Sequence, residues 1–157
     1  ARAYTVFARD GDMVPLTLSR VNRPAQGKPI ISAKTAQEVR KMLEMAVQTG
    51  GTAPRAQVMG YRVAGKTGTA RKLESGVYAP DKHVASFVGF GPVSDPRLVI
   101  AVMIDEPRAG QYYGGIVAAP VFSVVMGGAL RVLGVPPDAP MKAIELPPAA
   151  AELKEST

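Results

Sequence analysis

Apolar positions along the chain fall into periodic stretches separated by Gly- and Pro-rich breaks. In the opening ARAYTVFARDG, Ala3, Phe7 and Ala8 share a helical face, and Gly11 sits where a helix C-cap would fall. The chain thus begins as though already inside a helix and is expected to be the C-terminal piece of something longer. MVPLTLSRV reads as a short extended segment, followed by the basic loop NRPAQGKP. Ser32 then offers an N-cap hydroxyl. Val39, Met42, Leu43, Ala46 and Val47 recur at helical spacing after it, with Glu38, Arg40, Lys41 and Glu44 outward. Gly50 and Gly51 end that helix, and GGTAPRAQVMG reads as a loop.

Three segments then carry strand patterning. In YRVAGKTGTARK, Tyr61, Val63 and Gly65 alternate against Arg62, Ala64 and Lys66; HVASFVGFG and RLVIAVMIDEP follow. The first connection, LESGVYAPDK, is rich in turn formers, and the second, PVSDP, is short. Parallel strands need long crossovers, so these segments are expected to form an antiparallel meander. A Gly-rich bend, RAGQYYGG, leads to IVAAPVFSVVMGGALRVLG, apolar almost without break from Ile116 to Leu130. A membrane span needs ~20 such residues and this run stops at Arg131, which favours a buried core helix. Pro120 suits its first turn, and Gly127 and Gly128 allow close packing. From Val135 onward the sequence is Pro/Ala-rich and reads as a disordered tail. The expected division is residues 1–134 folded and 135–157 tail. No internal repeat is visible.

Composition narrows the chemistry. A chain of 157 residues with 46% hydrophobic content is one domain's worth and can bury a core. Nineteen basic against thirteen acidic residues give +6, a balance open to nucleic acid, anionic surfaces or a carboxylate-bearing substrate. The basic residues are scattered and only 6% of residues are aromatic, which argues against nucleic acid. There is no cysteine and a single histidine, His83, so a structural zinc site with its ~4 nitrogen or sulfur ligands is excluded.

The stretch GYRVAGKTGTARK holds two incompatible motifs. Gly60-x-x-x-x-Gly65-Lys66-Thr67 satisfies the phosphate-loop pattern, and Asp105-Glu106, closing an apolar strand, would serve as its magnesium-holding partner. That loop, however, needs a helix starting at the Lys-Thr and a parallel sheet. Here residues 61–64 are bulky strand formers, and no amphipathic helix fits between Thr67 and His83. In the other frame, Lys66, Thr67, Gly68 and Thr69 lie along a strand. Lys66 and Gly68 then face one way and Thr67 and Thr69 the other, unless twist or a bulge re-aims them. Glycine lets a substrate backbone approach, lysine supplies positive potential, hydroxyls bind a carboxylate, and an edge N–H can donate to an oxyanion. The residues alone also fit a plain surface hairpin or a stand-alone carboxylate-binding module.

Beyond that tetrapeptide, YTVFARDGDMVP, GGTA, VMGYRVAGKTGTA, ASFVGFGP, LVIAVMIDEP and YYGGIVAAPVF occur in order. Together they resemble the C-terminal half of the transpeptidase domain of class B penicillin-binding proteins, most closely the division-specific penicillin-binding protein 3 type. The resemblance runs from about Ala3 to Pro137. It implies an α+β fold of the penicillin-binding/β-lactamase type, incomplete here. Its three antiparallel strands would belong to a larger five-stranded sheet flanked by helices. Of the family's motifs, Ser-x-x-Lys, Ser-x-Asn and Lys-Thr/Ser-Gly, only the third is present, so the nucleophile is expected in an N-terminal remainder and this chain is not active alone.

The resemblance also implies site roles. Lys66, Thr67, Gly68 and Thr69 would be the catalytic stretch. Thr67 and Thr69 would hold the terminal carboxylate of a D-Ala-D-Ala donor or a β-lactam, and the Thr69 N–H would complete the oxyanion hole. Arg71, Tyr112 and Tyr113 would be further substrate-binding residues. His83 is expected as an exposed hairpin residue rather than a base, and Asp105-Glu106 as a strand end rather than a metal site. The implied partners are peptidoglycan stem peptides, β-lactams, the enzyme's own remainder and divisome membrane proteins. The implied location is the periplasmic face of the inner membrane, with an N-terminal anchor outside this chain. No cofactor or metal is implied.

Overall fold

The structure, a computed structural model, describes residues 1–23, 25–144 and 146. Its centre is an antiparallel sheet of β3 (Ala64–Glu74), β4 (Val77–Gly91) and β5 (Leu98–Asp105), in the order β3-β4-β5. Helices cover both faces, and the register explains why. Phe87 pairs with Thr67 on one side and Val102 on the other, and Gly89 with Ile100, so these share a face. That face meets α4 (Ala119–Val132) through Phe122, Met126 and Leu130, with Phe87 and Phe122 ring centroids 4.7 Å apart. One residue out of phase, Ala64, Phe90 and Val99 meet Tyr4 and Phe7 of α1 (Arg2–Ala8) and Leu43 of α2 (Ala33–Met45).

The helices begin and end where local chemistry allows. The Ser32 hydroxyl accepts the Thr35 N–H at 3.0 Å and so starts α2, a cap worth about 1 kcal/mol. Helix α1 stops with Asp10 in the left-handed region (φ 53°), and the Gly11 N–H reaches back to the Val6 carbonyl at 2.8 Å. Arg40 seals that end by donating to the Phe7 carbonyl at 2.8 Å and to Asp10 at 2.7 Å.

Several features depart from expectation. Of the first extended segment only Met13 is in a strand, β1 (Asp12–Met13), paired with β2 (Lys28–Pro29). Pro15 has no N–H with which to continue the ladder. The stretch expected as the β3–β4 loop is a hairpin instead. Its turn is only Ser75-Gly76, both left-handed (φ 52° and 84°), the two-residue type that right-twisted strands favour. Pro80 and Asp81, which looked like turn residues, lie in an irregularity of β4 opposite Lys72.

The run from Gly114 is long and apolar enough to cross a membrane by length and composition. It breaks at Ala118 into α3 (Gly114–Val117) and α4. Its inner side packs on the sheet as expected of a core helix, but Val121, Val124, Val125 and Val132 are exposed. Residues 135–142, assigned by composition to the tail, fold back over the domain. The Tyr61 hydroxyl donates to the Val135 carbonyl at 2.7 Å, and the Ala139 N–H to Gly60 at 3.1 Å. Asp138 accepts from the Arg62 N–H at 2.7 Å and the Ser94 hydroxyl at 2.8 Å. Backbone groups, the Tyr61 hydroxyl and the Asp138 carboxylate fix this arm, with Val135 buried in the core beside them. The rest of the expected tail, from Pro147, lies outside the described residues.

Candidate active site

Lys66 to Thr69 sit inside β3, whose outer edge carries no further strand among the described residues. The backbone alternates as a strand must. Thr67 is buried while Lys66 is exposed, and Thr67, Thr69 and Arg71 share a face with their partners Phe87, Ala85 and His83. The Lys66 ammonium nevertheless curls back to donate to the Thr67 hydroxyl at 2.9 Å and its carbonyl at 3.3 Å. Charge and hydroxyl thus meet although their Cβ atoms diverge. Thr67 lies 3.5 Å from the Thr52 hydroxyl, on the loop that follows α2. Beside Lys66 an open groove of about 480 Å3 runs under Met42, Met45 and residues 48–52. Both methionines are exposed, so of the face expected from helical spacing Met42 is apolar surface here, while Leu43 and Val47 pack inward.

Helix α3 starts against this strand. The Gly114 N–H donates to the Thr69 hydroxyl oxygen at 3.1 Å, which fixes that side chain's orientation. A Cβ on Gly114 would overlap the Ser86 carbonyl and crowd Gly68, and one on Gly115 would overlap the Thr52 carbonyl. The glycine pair is what lets the helix come this close. The Ser86 hydroxyl donates to the Gly68 carbonyl at 3.1 Å from the neighbouring strand.

Just before Gly114, Tyr112 and Tyr113 lie with ring centroids 4.6 Å apart. His83 stacks on Tyr112 at 4.0 Å with the rings 14° from parallel. It is therefore half-buried in an aromatic stack, not an exposed hairpin residue as expected, because the β3–β4 register sets it opposite Arg71 beneath the tyrosine loop. Arg71 itself is exposed. Asp105 ends β5, and with Glu106 it receives the Lys72 ammonium at 3.0 and 2.7 Å. The Glu106 carboxyl is held below its ordinary range by the hydrogen bond from Lys72, and Lys72 is raised in turn by Glu106 and then Asp105.

The sequence singled out the strand tetrapeptide, Arg71 and the tyrosines as candidates. It missed the Gly114–Thr69 bond, the His83 stack, Thr52 and the Lys72 ion pairs. The only available signal was the glycine doublet after the tyrosines. The phosphate-loop alternative fails on geometry: residues 66–69 are extended, no helix follows them, and the sheet is antiparallel.

The chain matches the family model described as the penicillin binding protein transpeptidase domain over residues 1–127. It is 48% identical over 141 residues to a probable peptidoglycan D,D-transpeptidase PenA of Neisseria flavescens, covering 90% of this chain and 35% of that protein. The peptidoglycan D,D-transpeptidase FtsI of Escherichia coli is 39% identical over 139 residues, covering 88% of this chain and 24% of its own length. The apo transpeptidase domain of Burkholderia pseudomallei penicillin-binding protein 3 superposes with a TM-score of 0.82 at 49% identity, over 88% of this chain and 43% of that one. The chain thus spans a quarter to a third of these curated relatives. Edge strand, antiparallel neighbours and sequence agree: the chain belongs to the penicillin-binding-protein transpeptidase family.

Proposed function

We propose that this chain forms one wall of the active site of a septal peptidoglycan D,D-transpeptidase of the penicillin-binding protein 3 type. The remainder of that enzyme supplies the Ser-x-x-Lys and Ser-x-Asn motifs. The observation that carries this reading is the extended Lys66–Thr69 segment on an open sheet edge, with its Thr69 hydroxyl oriented by Gly114. The serine attacks the penultimate D-alanine carbonyl, terminal D-alanine departs with a proton, and an amine of a neighbouring stem peptide resolves the acyl-enzyme. β-Lactams acylate the same serine and stay bound.

Within that reaction Lys66 turns its ammonium from Thr67 toward the Ser-x-Asn serine and raises the local positive potential. Thr67 and Thr69 hold the donor carboxylate, Gly68 admits the substrate backbone, and the Thr69 N–H stabilises the oxyanion. Arg71, Tyr112 and Tyr113 line the donor side-chain region. The exposed apolar faces of α4 and α2 and the open edge of β5 are where the rest of the domain packs, completing a five-stranded sheet. The kinship with PenA and FtsI supports a periplasmic setting at the inner membrane, an anchor in the remainder, and divisome membrane proteins as partners.

Labelling of the full-length enzyme with a fluorescent penicillin tests this. The parent should label covalently. Lys66→Ala should acylate roughly 10²–10³-fold more slowly, the usual scale for losing one stabilising donor. Thr69→Val should also be slowed. A parent that takes no label, or variants that label at the parent rate, would sink the assignment.

A further inference from the structure

Lys72 occupies an unusual place in the sheet. The β3–β4 register passes from Arg71↔His83 to Leu73↔Tyr78, so residues 79–82 of β4 face Lys72 alone. Beside this irregularity the Lys72 side chain reaches past β4 to the end of β5. There it meets Asp105 at 3.0 Å and Glu106 at 2.7 Å. Glu106 stands in the left-handed region (φ 49°), an uncommon conformation for a residue with a side chain. Its N–H donates to the His83 carbonyl at 2.9 Å. One side chain thus ties β3 to the end of β5 and to the residue that follows it.

The segment that starts at Glu106 ends at Gly114. Its far end is pinned to β3 by the Gly114–Thr69 bond, and its near end by Lys72, on the same strand. Between the two pins lie Tyr112, stacked on His83, and Tyr113, packed on Tyr112. The other cations near Glu106 are poor substitutes. Arg108 is 3.6 Å away and 86% exposed, and Lys82 is paired with Glu74.

We propose that Lys72, through Glu106, is a positioning residue that holds the 106–113 segment so that Tyr112 and Tyr113 face the donor side chain. This rests on the transpeptidase reading above. A partly exposed ion pair at the sheet's end adds little global stability, so the effect falls on local order and on recognition of the donor side chain rather than on folding or the acyl-transfer step.

The test uses the full-length enzyme with Lys72→Met, Lys72→Arg, Glu106→Gln and the Lys72→Met/Glu106→Gln double variant. Hydrogen–deuterium exchange should quicken across 106–113 in Lys72→Met and Glu106→Gln, while residues 64–71 and the melting temperature stay at parent values. The pre-covalent dissociation constant for a penicillin with a bulky side chain should rise by roughly threefold to tenfold. The limiting acylation rate, and the constant for 6-aminopenicillanic acid, which lacks that side chain, should hold. Lys72→Arg should restore the parent constant, and the double variant should be no worse than either single.

Unchanged exchange and unchanged dissociation constants in an enzyme that labels normally would overturn the proposal. So would equal losses for both penicillins, or a general fall in melting temperature. If the parent itself takes no label, the functional reading fails, and the exchange measurement still decides whether Lys72 orders the segment.

Discussion

The substitution Gly114→Ala probes the contact on which the site's geometry depends. Gly114 opens α3, is buried, and gives its N–H to Thr69. A Cβ there would overlap the Ser86 carbonyl oxygen and lie 3.0 Å from the Gly68 oxygen and 3.2 Å from the Gly68 nitrogen. All three are backbone atoms inside the sheet and cannot rotate aside. Carbon–oxygen contacts normally sit at about 3.3–3.6 Å, so relief requires α3 or the Ser86 segment of β4 to move by on the order of 1 Å. Such overpacking costs about 1–3 kcal/mol, at about 2–4 °C of melting temperature per kcal/mol in a domain of this size. The same movement breaks the 3.1 Å bond to Thr69 and displaces the hydroxyl from the donor carboxylate. A misplacement of ~1 Å can cost roughly 100-fold in rate. The assay is time-resolved acylation by a fluorescent penicillin, run beside a thermal melt of the full-length enzyme. Thr69→Val, which loses the acceptor without adding bulk to α3, separates the lost bond from the overlap. Gly114→Ala labelling at the parent rate with the parent melting temperature would refute the idea that α3 positions the strand.

Four further outcomes follow from the packing. Asp138→Ala strands the Arg62 and Ser94 N–H groups that now point at one carboxylate; urea unfolding should show a loss of about 1–3 kcal/mol, with faster proteolysis after Lys142. Arg40→Ala uncovers the Phe7 and Ala8 carbonyls that end α1, and chemical denaturation should register about 1–3 kcal/mol, which Lys at that position recovers only in part. Glu106 has a depressed folded value, so its ion pair contributes fully above the ordinary 4.5 and fades as pH falls through the lower value; Lys72, raised, keeps its contribution below the ordinary 10.5 and loses it only above. Exchange of residues 106–113, corrected for intrinsic rates, should therefore be flat near neutrality and rise in acid, and a rise centred at neutral pH would contradict the ion pair. Finally, the 157-residue chain alone, with Met42, Met45, Met103, Val124 and Val132 bared, should not give a cooperative monomeric melt, and a sharp reversible transition by calorimetry would count against the proposal that a further part of the domain packs on these faces.

The strands were legible because their patterning is strong. Leu98, Ile100, Val102 and Ile104 alternate with Ala101, Met103 and Asp105, and the structure turns the first set toward α4. Misreadings arose where short-range composition and long-range pairing disagree. The β3–β4 hairpin was hidden because Ser75, Gly76, Pro80 and Asp81 look alike as turn formers. Only the first two make the turn, and the others are accommodated by the register shift opposite Lys72. The arm at 135–142 has no apolar period, so nothing local announces that Tyr61, Gly60 and Asp138 hold it. α4 is apolar on nearly every side, which says that both sides meet apolar matter but not what that matter is.

The same distinction separates the parts of the site. Lys66 to Thr69 could be placed on an edge strand because strand-forming neighbours forbid the helix that a phosphate loop requires, and that argument needs only adjacent residues. The Gly114–Thr69 bond spans 45 positions and the Lys72–Glu106 pair 34. Each exists only once β4 has fixed the offset between β3 and the end of β5. A one-residue slip of β4 would turn Thr69 and Arg71 away from Ala85 and His83. The tyrosine loop would then lose its histidine platform and its second pin, though no residue of the tetrapeptide had changed. The chemistry of the edge is thus written locally, whereas its orientation is a property of the register, and substitutions that disturb β4 should impair the site as surely as those in the motif.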